Sequence, residues 1–189
     1  MTCALRRLDY EQLDASLQEA LGPKVRRLGY LGEFFAVAGH QPAAMLAFHE
    51  FTEALKRALP PELAEVVALA AAAELGSDYE RCQHERLAVS LGFGLAWIAA
   101  AEGREGSDPS FLSDEARCTR NLVLAILADR GHEAGVQVDL AIEQLGEEQT
   151  VAVLLLIGRS VAHGIVSNST GLTAPVPSVF DGPAVVTPS

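Results

Sequence analysis

Two helical segments joined by a short break dominate the middle of the chain. The first, "PELAEVVALAAAAEL", begins at Pro61, and the second, "YERCQHERLAVSL", follows the break Gly76-Ser77-Asp78. Proline is tolerated in the first turn of a helix, whereas a cluster of glycine, serine and aspartate favours a turn. If the chain reverses direction at Gly76, the two segments form an antiparallel helical hairpin.

One polar residue on each helix would then face the other helix. Glu65 precedes Gly76 by 11 residues, which is roughly 16 Å along a helix that rises about 1.5 Å per residue. His84 follows Gly76 by 8 residues, or roughly 12 Å by the same rise. A carboxylate beside an imidazole fixes its tautomer and raises its basicity, so this pair would suit proton transfer.

The same residues also fit an ordinary solvated helix face. Ser77, Glu80 and His84 share one face of the second helix, and Glu80 can pair with His84 at i, i+4 spacing. Glu65 can lie at the edge of an amphipathic helix. Spacing alone slightly favours this interpretation over a facing acid–imidazole pair.

The rest of the sequence predicts further helices and no convincing strand, so we expect an all-α fold. Apolar residues recur at helical spacing in "DYEQLDASLQEAL", which we expect to end at Gly22-Pro23, and in "PAAMLAFHEFTEALKRAL". Towards the C-terminus, "VQVDLAIEQLG" predicts a short helix and "EEQTVAVLLLIGRSVAHGIVSNSTG" a longer apolar one. The tail, "TAPVPSVFDGPAVVTPS", predicts an extended or disordered arm.

Composition restricts the partners that the chain can have. Its 189 residues favour a single domain, and 25 acidic against 14 basic residues give a net charge of −11. Such a charge disfavours binding to the phosphate backbone of nucleic acids and to anionic membrane surfaces. The longest apolar runs, "VAVLLLIG" and "LGFGLAWIAAA", are too short to span a bilayer, and no signal peptide is evident. We expect no nucleic-acid partner, no membrane association and a cytoplasmic location.

The cysteines indicate neither a disulfide framework nor a zinc cluster. Cys3, Cys82 and Cys118 lie far apart, and the sequence contains no CxxC. A reducing cytoplasm fits this pattern best. No HxxxH pair or carboxylate cluster offers metal-ligand spacing, and the glycines form no phosphate-binding loop. We therefore expect no metal and no cofactor.

The hairpin carries a spaced set of polar residues. Glu65 lies twelve positions before Ser77, and Tyr79 and His84 follow. This order resembles the core motif of the carboxymuconolactone decarboxylase and alkylhydroperoxidase D-like superfamily, a glutamate and an apolar helix followed by C-x-Y-C-x-x-x-H. The resemblance extends over about residues 28 to 180, through "GHQPAAMLAFHEF" upstream and "LSDEARCTRNLVLAIL" downstream.

The resemblance implies an architecture and an assembly. The expected fold is an alkylhydroperoxidase D-like helical bundle built around the antiparallel hairpin. Residues 1–27 would form an N-terminal helical extension, residues 28–170 the family domain, and residues 171–189 the C-terminal arm. Members of the superfamily are usually homotrimers or homohexamers, so the resemblance also implies self-association.

The sequence departs from the motif at both cysteines, which fall on Ser77 and Glu80. Thiol peroxidase chemistry needs a thiolate and a second, resolving thiol, so we do not expect it here. The pattern instead resembles the branch of the superfamily that lacks CxxC and carries "EYE…H". This branch implies acid/base chemistry without a thiol on a small carboxylated, lactone-like substrate, as in a decarboxylase, which is a lyase.

The resemblance also assigns roles to individual residues. His84 would donate or shuttle a proton, Glu65 would orient and tune it, and Tyr79 or Glu80 would hydrogen-bond the substrate. For His163, a buried or interface histidine bonded to a backbone carbonyl is the favoured interpretation; the alternative is that Arg159 or His163 contacts an anionic substrate. The residues expected to contact substrate are Ser77, Glu80, Cys82 and His163.

Two other functions remain open at the level of sequence. The protein could be a non-catalytic oligomeric binding protein that retains the fold, because the cysteine pair of the motif is missing. Residual peroxide-reducing antioxidant activity through Cys82 is a third, weaker idea, since no resolving cysteine is near. An open cavity at Glu65 and His84 would favour the enzyme, whereas a closed, dry contact would favour the binding protein.

Overall fold

A computed structural model describes residues 4–181, and every regular element among them is helical. The prediction of an all-α fold is confirmed. Two single-turn 3-10 helices lie at Tyr10–Gln12 and Pro109–Phe111. The α-helices are α1 (Ala15–Leu28), α2 (Glu33–Ala38), α3 (Pro42–Ala58), α4 (Pro61–Glu74), α5 (Asp78–Ser90), α6 (Leu95–Glu102), α7 (Asp114–Asp129) and α8 (Gly135–Thr170).

Helix α4 is the centre of the bundle. It is buried from residue 63 to residue 72, and it packs against α5, α6, α7 and α8. Its alanines allow these neighbours to approach closely, while Val66, Val67 and Leu69 are completely buried. Each side chain of this kind contributes about 1.5–3 kcal/mol when it leaves water. A helix surrounded in this way explains why "LAEVVALAAAA" shows almost no polar face, and it makes Glu65 a buried carboxylate.

The turn between α4 and α5 is the predicted reversal. Gly76 adopts φ +60°, in the left-handed region that glycine enters without strain. The Ser77 N–H donates to the Ala72 carbonyl at 2.9 Å, and the Gly76 N–H donates to the Ala73 carbonyl at 3.1 Å. These bonds close the end of α4 and direct α5 back along it, so the hairpin prediction is confirmed.

Helix α1 corrects one predicted boundary, since it does not end at Gly22-Pro23. Pro23 is the ninth residue of the helix, which continues to Leu28 and ends at Gly29 with φ +81°. A proline inside a helix removes one backbone hydrogen bond, at a cost of about 3 kcal/mol. Leu17 and Leu21 are fully buried in a core cluster with residues of α2, α3 and α5. This packing, which local sequence does not reveal, holds the helix together across the proline.

Helix α8 has a break at Gly146, whose φ of 80° and ψ of 164° are not helical. The break divides α8 where the sequence predicted a short helix followed by a longer one. By length and hydropathy α8 qualifies as a membrane-spanning helix, although the uninterrupted apolar runs of the sequence are too short to span a bilayer. Half of its apolar window is buried inside the bundle, which is also the pattern of a core helix.

The C-terminal arm lies along α5 as far as the structure describes it. Residues 172–181 form no helix. The Arg86 Nε–H donates to the Pro177 carbonyl at 3.1 Å, and the Val179 N–H donates to Glu85 Oε2 at 2.7 Å. Cys3 and the end of the predicted arm, residues 182–189, lie outside the described residues. The predicted domain boundaries remain predictions.

Candidate active site

A cavity of about 360 Å³ lies beside α5 on the face that meets α1, α2 and α8. Helix α3 and the C-terminal arm contribute one residue each, Lys56 and Val176. Its walls combine aromatic rings with basic and imidazole side chains. The other lining residues are Lys24, Arg27, Leu28, Tyr30, Gly32, Phe34, Phe35, Tyr79, Glu80, Gln83, His84, Arg86, Leu87, Ser90, Arg159 and His163.

The facing acid and imidazole of the hairpin form a direct pair. Nδ1 of His84 lies 2.8 Å from Oε2 of Glu65. An ionised carboxylate can only accept hydrogen bonds, so Nδ1 carries the proton and Nε2 is left with its lone pair. Glu65 is buried behind His84, which lines the cavity with its side chain 16% exposed. The solvated-face interpretation is therefore wrong for this pair.

Glu80 is engaged by helix α8 and not by His84. Nη1 of Arg159 donates to Glu80 Oε1 at 2.6 Å, and Nδ1 of His163 lies 3.1 Å from the same oxygen. The Arg159 Nε–H also donates to Thr52 Oγ1 at 3.3 Å, and its guanidinium lies 5.3 Å from the Phe48 ring. Glu80 is thus a buried carboxylate at the wall of the cavity, hydrogen-bonded to Arg159 and close to His163.

His163 is held by contacts at its Nδ1 atom and on one face of its ring. Its Nδ1 lies between Glu80 Oε1 and Ser167 Oγ, each at 3.1 Å, and its ring stacks on Phe34 with centroids 3.7 Å apart. Burial lowers the pKa of His163 well below its ordinary value, and the positive charge of Arg159 contributes to the same shift. The imidazole is therefore neutral at pH 7. His163 is buried, as the favoured interpretation expects, but its Nδ1 is bonded to the Ser167 hydroxyl and not to a backbone carbonyl, and the residue also lines the cavity.

Tyr79 offers a hydroxyl proton to the cavity. Its oxygen accepts a hydrogen bond from the Phe34 N–H at 3.1 Å. Burial raises the pKa of Tyr79, which keeps the phenol protonated. Gly32 allows this approach, because a Cβ there would lie 3.1 Å from the hydroxyl. The phenol can therefore donate its proton to a bound molecule.

Two of the predicted substrate contacts do not reach the cavity. Ser77 is buried at the start of α5, and its hydroxyl has no hydrogen-bond partner within residues 4–181. Cys82 is buried on another side of α5, and burial raises the pKa of its thiol. Neither residue is part of the cavity wall. Of the seven predicted site residues, Tyr79, Glu80, His84 and His163 line the wall, with Glu65 directly behind His84.

The sequence indicated one basic residue of the cavity, Arg159, as a possible contact for an anionic substrate, and gave no sign of the other four. Lys24, Arg27, Lys56, Arg86 and Arg159 all line the wall, where the single carboxylate is that of Glu80. Burial and, to a smaller extent, the nearby charge of Lys56 together lower the pKa of Lys24 to about 8. These side chains come from four different helices of an acidic chain, so no charge run signals them. The wall is electropositive and suited to an anion.

A second cavity, of about 330 Å³, lies between α7 and α8. It contains Cys118 and the ion pair of Asp114 with Arg117, but no imidazole. Burial raises the pKa of the Cys118 thiol, so this cysteine is not poised as a thiolate. Within residues 4–181 there is no group of three His, Cys, Asp or Glu side chains able to hold a metal ion. The cavity beside α5 is therefore the better candidate for a reaction site.

Comparison with known proteins identifies the fold. No protein-family model matches the chain, and neither does any curated protein. The debrominase Bmp8 in complex with 2,3,4-tribromopyrrole is similar with a TM-score of 0.78 at 16% identity, over 93% of this chain and 94% of that chain. The alkylhydroperoxidase AhpD core of Ralstonia eutropha JMP134, an uncharacterized peroxidase-related protein, gives 0.76 at 15% identity, over 90% and 92%.

A third structure, a protein of unknown function from Agrobacterium tumefaciens, gives a TM-score of 0.66 at 17% identity, over 74% of this chain and 96% of that chain. Sequence identities this low show a shared fold and leave the chemistry open. The motif resemblance of the hairpin and the similarity of the whole bundle agree on the same architecture. The chain has the alkylhydroperoxidase D-like fold.

Proposed function

We propose that the protein is an enzyme that performs acid/base chemistry without a thiol on a small carboxylated, lactone-like substrate, in the manner of a decarboxylase. One observation carries the proposal: His84 lines the cavity while its Nδ1 is held 2.8 Å from the buried carboxylate of Glu65. A carboxylate in this position fixes the tautomer and stabilises the imidazolium that forms when Nε2 takes up a proton.

The reaction can be written on an unsaturated lactone with a carboxylate on the ring carbon next to the double bond. The bond to the carboxylate breaks, CO₂ leaves, and the electron pair spreads into the ring as a dienolate. Protonated His84 then delivers its Nε2 proton to carbon and becomes neutral. The Tyr79 hydroxyl can donate a hydrogen bond to the developing dienolate oxygen, which stabilises the charge where it appears.

The charge of the cavity supports a carboxylated substrate. Lys24, Arg27 and Lys56 stand at the wall, and among them the structure pairs Lys56 with Glu53 at 4.0 Å. Burial, and after it the charge of Lys56, holds the pKa of Lys24 at about 8, and a bound anion would favour the charged form of this amine. The volume of about 360 Å³ lies at the lower end of the range of small-molecule sites.

The two other functions receive less support. A non-catalytic binding protein was expected to have a closed contact at Glu65 and His84, whereas His84 opens onto a cavity. Peroxide reduction through Cys82 needs an accessible thiolate, but this thiol is buried and its pKa is raised by that burial. Peroxide consumption that is the same in wild type and in Cys82→Ser would eliminate the second of these.

A decarboxylation assay tests the proposal. Wild type, His84→Ala, Glu65→Gln and the control Cys82→Ser are compared on a panel of carboxylated unsaturated five-membered lactones, with release of CO₂ as the readout. We expect His84→Ala to lose about 100-fold or more in kcat/KM, the size of a general-acid contribution, and Cys82→Ser to be unchanged. Equal rates in wild type and His84→Ala, or no turnover of any lactone by wild type, would overturn the proposal.

A further inference from the structure

The cavity contains a second imidazole–carboxylate pair that the proposed reaction does not use. Nδ1 of His163 lies 3.1 Å from Oε1 of Glu80, as Nδ1 of His84 lies 2.8 Å from Oε2 of Glu65. Both imidazoles line the same cavity. The His84–Glu65 pair joins α5 to α4, and the His163–Glu80 pair joins α8 to α5, so both pairs share α5 but each has a partner on a different helix.

Each imidazole has one nitrogen left for a bound molecule. Because Ser167 Oγ is hydrogen-bonded to Nδ1 of His163 and Glu80 Oε1 lies 3.1 Å from the same nitrogen, the remaining nitrogen is Nε2. Within residues 4–181 no hydrogen bond is made by Nε2 of either histidine. The fully buried side-chain atoms without a partner in this part of the chain belong to Ser77, Glu102 and Thr119. Nε2 of neither histidine is therefore among the fully buried atoms without a partner, and both residues line the cavity.

The two imidazoles have different charged neighbours. His163 is buried next to Arg159 and is stacked flat on Phe34. Burial, Arg159 and His84 all lower the pKa of His163, so this imidazole is the neutral member and its Nε2 can accept a proton. Glu65, in contrast, has His84 as its partner and no arginine or lysine bonded to it within the described residues. A proton on His84 completes an ion pair with Glu65.

We propose that the cavity catalyses a proton shift between two carbons of an unsaturated carboxylated lactone, with Nε2 of His163 as the base and Nε2 of His84 as the acid. This inference rests on the proposed function, since it uses the same site and substrate class. It adds His163 as a catalytic residue and Glu80 as the residue that positions it.

The step balances with no added oxidant or reductant. His163 removes a proton from the carbon next to the lactone carbonyl, and the electron pair of the C–H bond forms a dienolate. Protonated His84 gives its proton to the far carbon of the dienolate, and the double bond moves into conjugation with the carbonyl. The imidazolium of His163 then loses its proton and His84 regains one through solvent. Decarboxylation of a related lactone passes through the same dienolate, so the Tyr79 hydroxyl would serve both reactions.

Deuterium incorporation tests the inference. The probe is a five-membered enol lactone with a carboxymethyl group on the ring carbon bonded to oxygen, incubated in D₂O and followed by NMR. Wild type should give the conjugated isomer with deuterium at the newly protonated carbon. His84→Gln should lose isomerisation by about 100-fold or more but still exchange deuterium into the carbon next to the carbonyl. His163→Gln should lose both the exchange and the isomerisation.

Further readouts separate this inference from the proposed decarboxylase. His163→Gln should slow isomerisation at least about tenfold more than it slows CO₂ release, because His84 delivers the proton in the decarboxylation; equal losses of both activities would contradict the role of His163 as the base. Glu80→Gln keeps the His163 side chain but removes the carboxylate that orients it. Isomerisation should then be about tenfold slower, and the pH dependence of its rate should be displaced. Circular dichroism and thermal denaturation check that each variant is folded, and Cys82→Ser serves as the control. Isomerisation within about threefold of wild type in His163→Gln, or no exchange in wild type, would overturn the inference.

Discussion

Two buried carboxylates, Glu85 and Glu102, lie away from the cavity and make the stability of the fold depend on pH. Glu85 is fully buried and accepts hydrogen bonds from Arg81 Nη1 and the Val179 N–H, both at 2.7 Å. Glu102 accepts one bond, from Arg104 Nη1 at 3.0 Å, while its Oε1 has no donor within the described residues. Burial raises the pKa of Glu102 to about 7, and a hydrogen bond with Glu85 contributes. A proton on Glu102 supplies the donor that this pair lacks.

Glu102→Gln should make the protein more stable above neutral pH. The unfolded chain releases the Glu102 proton near its ordinary pKa of 4.5, whereas the folded chain holds it to about 7. Between these values the folded state binds more protons, so its stability falls as pH rises. The amide of glutamine donates at every pH, and we expect a gain of about 1–3 kcal/mol at pH 8 with little change at pH 5.

Urea denaturation at a series of pH values measures this effect. Glu105→Gln removes the same charge from an exposed neighbouring position and serves as the control. We expect it to leave the pH dependence of the free energy of unfolding intact. A Glu102→Gln variant with the slope of wild type between pH 5 and pH 7 would contradict the shared-proton explanation.

The two imidazole–carboxylate pairs differ in how far sequence could predict them. Glu65 and His84 lie on consecutive helices, so counting residues from Gly76 was enough to align them. Glu80 and His163 are separated by more than eighty residues, and their contact depends on how α8 crosses the hairpin. The local spacing of Glu80 suggested His84 as its partner, and nothing in the sequence indicated that Arg159 would take that place.

At the scale of elements, helix-breaking residues predict the end of a helix only where tertiary packing does not hold the helix together. The α4–α5 turn has a glycine in the left-handed region and no atom within 4 Å of where a Cβ would be. The turn was therefore correctly predicted from its residues. The Gly22-Pro23 pair is an equally strong helix breaker, yet α1 passes through it because Leu17 and Leu21 are buried on the hydrophobic side of the helix.

Gly76→Ala should destabilise the hairpin through the backbone alone. The φ of +60° costs an alanine about 1–2 kcal/mol in the left-handed region, and no neighbouring atom adds a steric clash. Gly135→Ala is the matched control, since Gly135 begins α8, has equal space and has no positive φ. It should be neutral or slightly stabilising.

Chemical denaturation of the two variants beside wild type checks this prediction. The activity of Gly76→Ala under fully folded conditions should change little, because Glu65 and His84 lie more than two turns from the reversal. Equal free energies of unfolding for Gly76→Ala and Gly135→Ala would show that the left-handed conformation of the turn is not needed.

At the scale of the whole molecule, the fold class followed from sequence but the cavity did not. Helical periodicity is a local property, and it appears in nearly every segment of the chain. The cavity wall, in contrast, gathers Lys24 from α1, Lys56 from α3 and Arg159 from α8 around the hairpin. Its positive charge is opposite to the net charge of −11, so overall composition argued against the feature that most restricts the ligand.

The longer arm of α8 presents an apolar stripe to solvent. Val151, Leu155 and Ile165 are 53%, 46% and 60% exposed, and the small residues Gly158 and Ala162 lie between them on the same face. Exposed apolar residues that line up along a helix mark contact surfaces. We propose that this stripe is part of the contact between copies of the chain, in the homotrimer or homohexamer that the motif resemblance implies.

Leu155→Glu should then weaken self-association. A charge at the centre of the stripe would be buried without a partner in the assembly, whereas it remains hydrated in the monomer, so the equilibrium shifts towards smaller species. Light scattering coupled to size-exclusion chromatography gives the mass of each species across protein concentrations. Val136→Glu, an exposed apolar position of α8 on the other side of the Gly146 break, is the control and should retain the wild-type mass. A wild type that is monomeric at all concentrations, or a Leu155→Glu variant with unchanged mass, would contradict this assignment of the stripe.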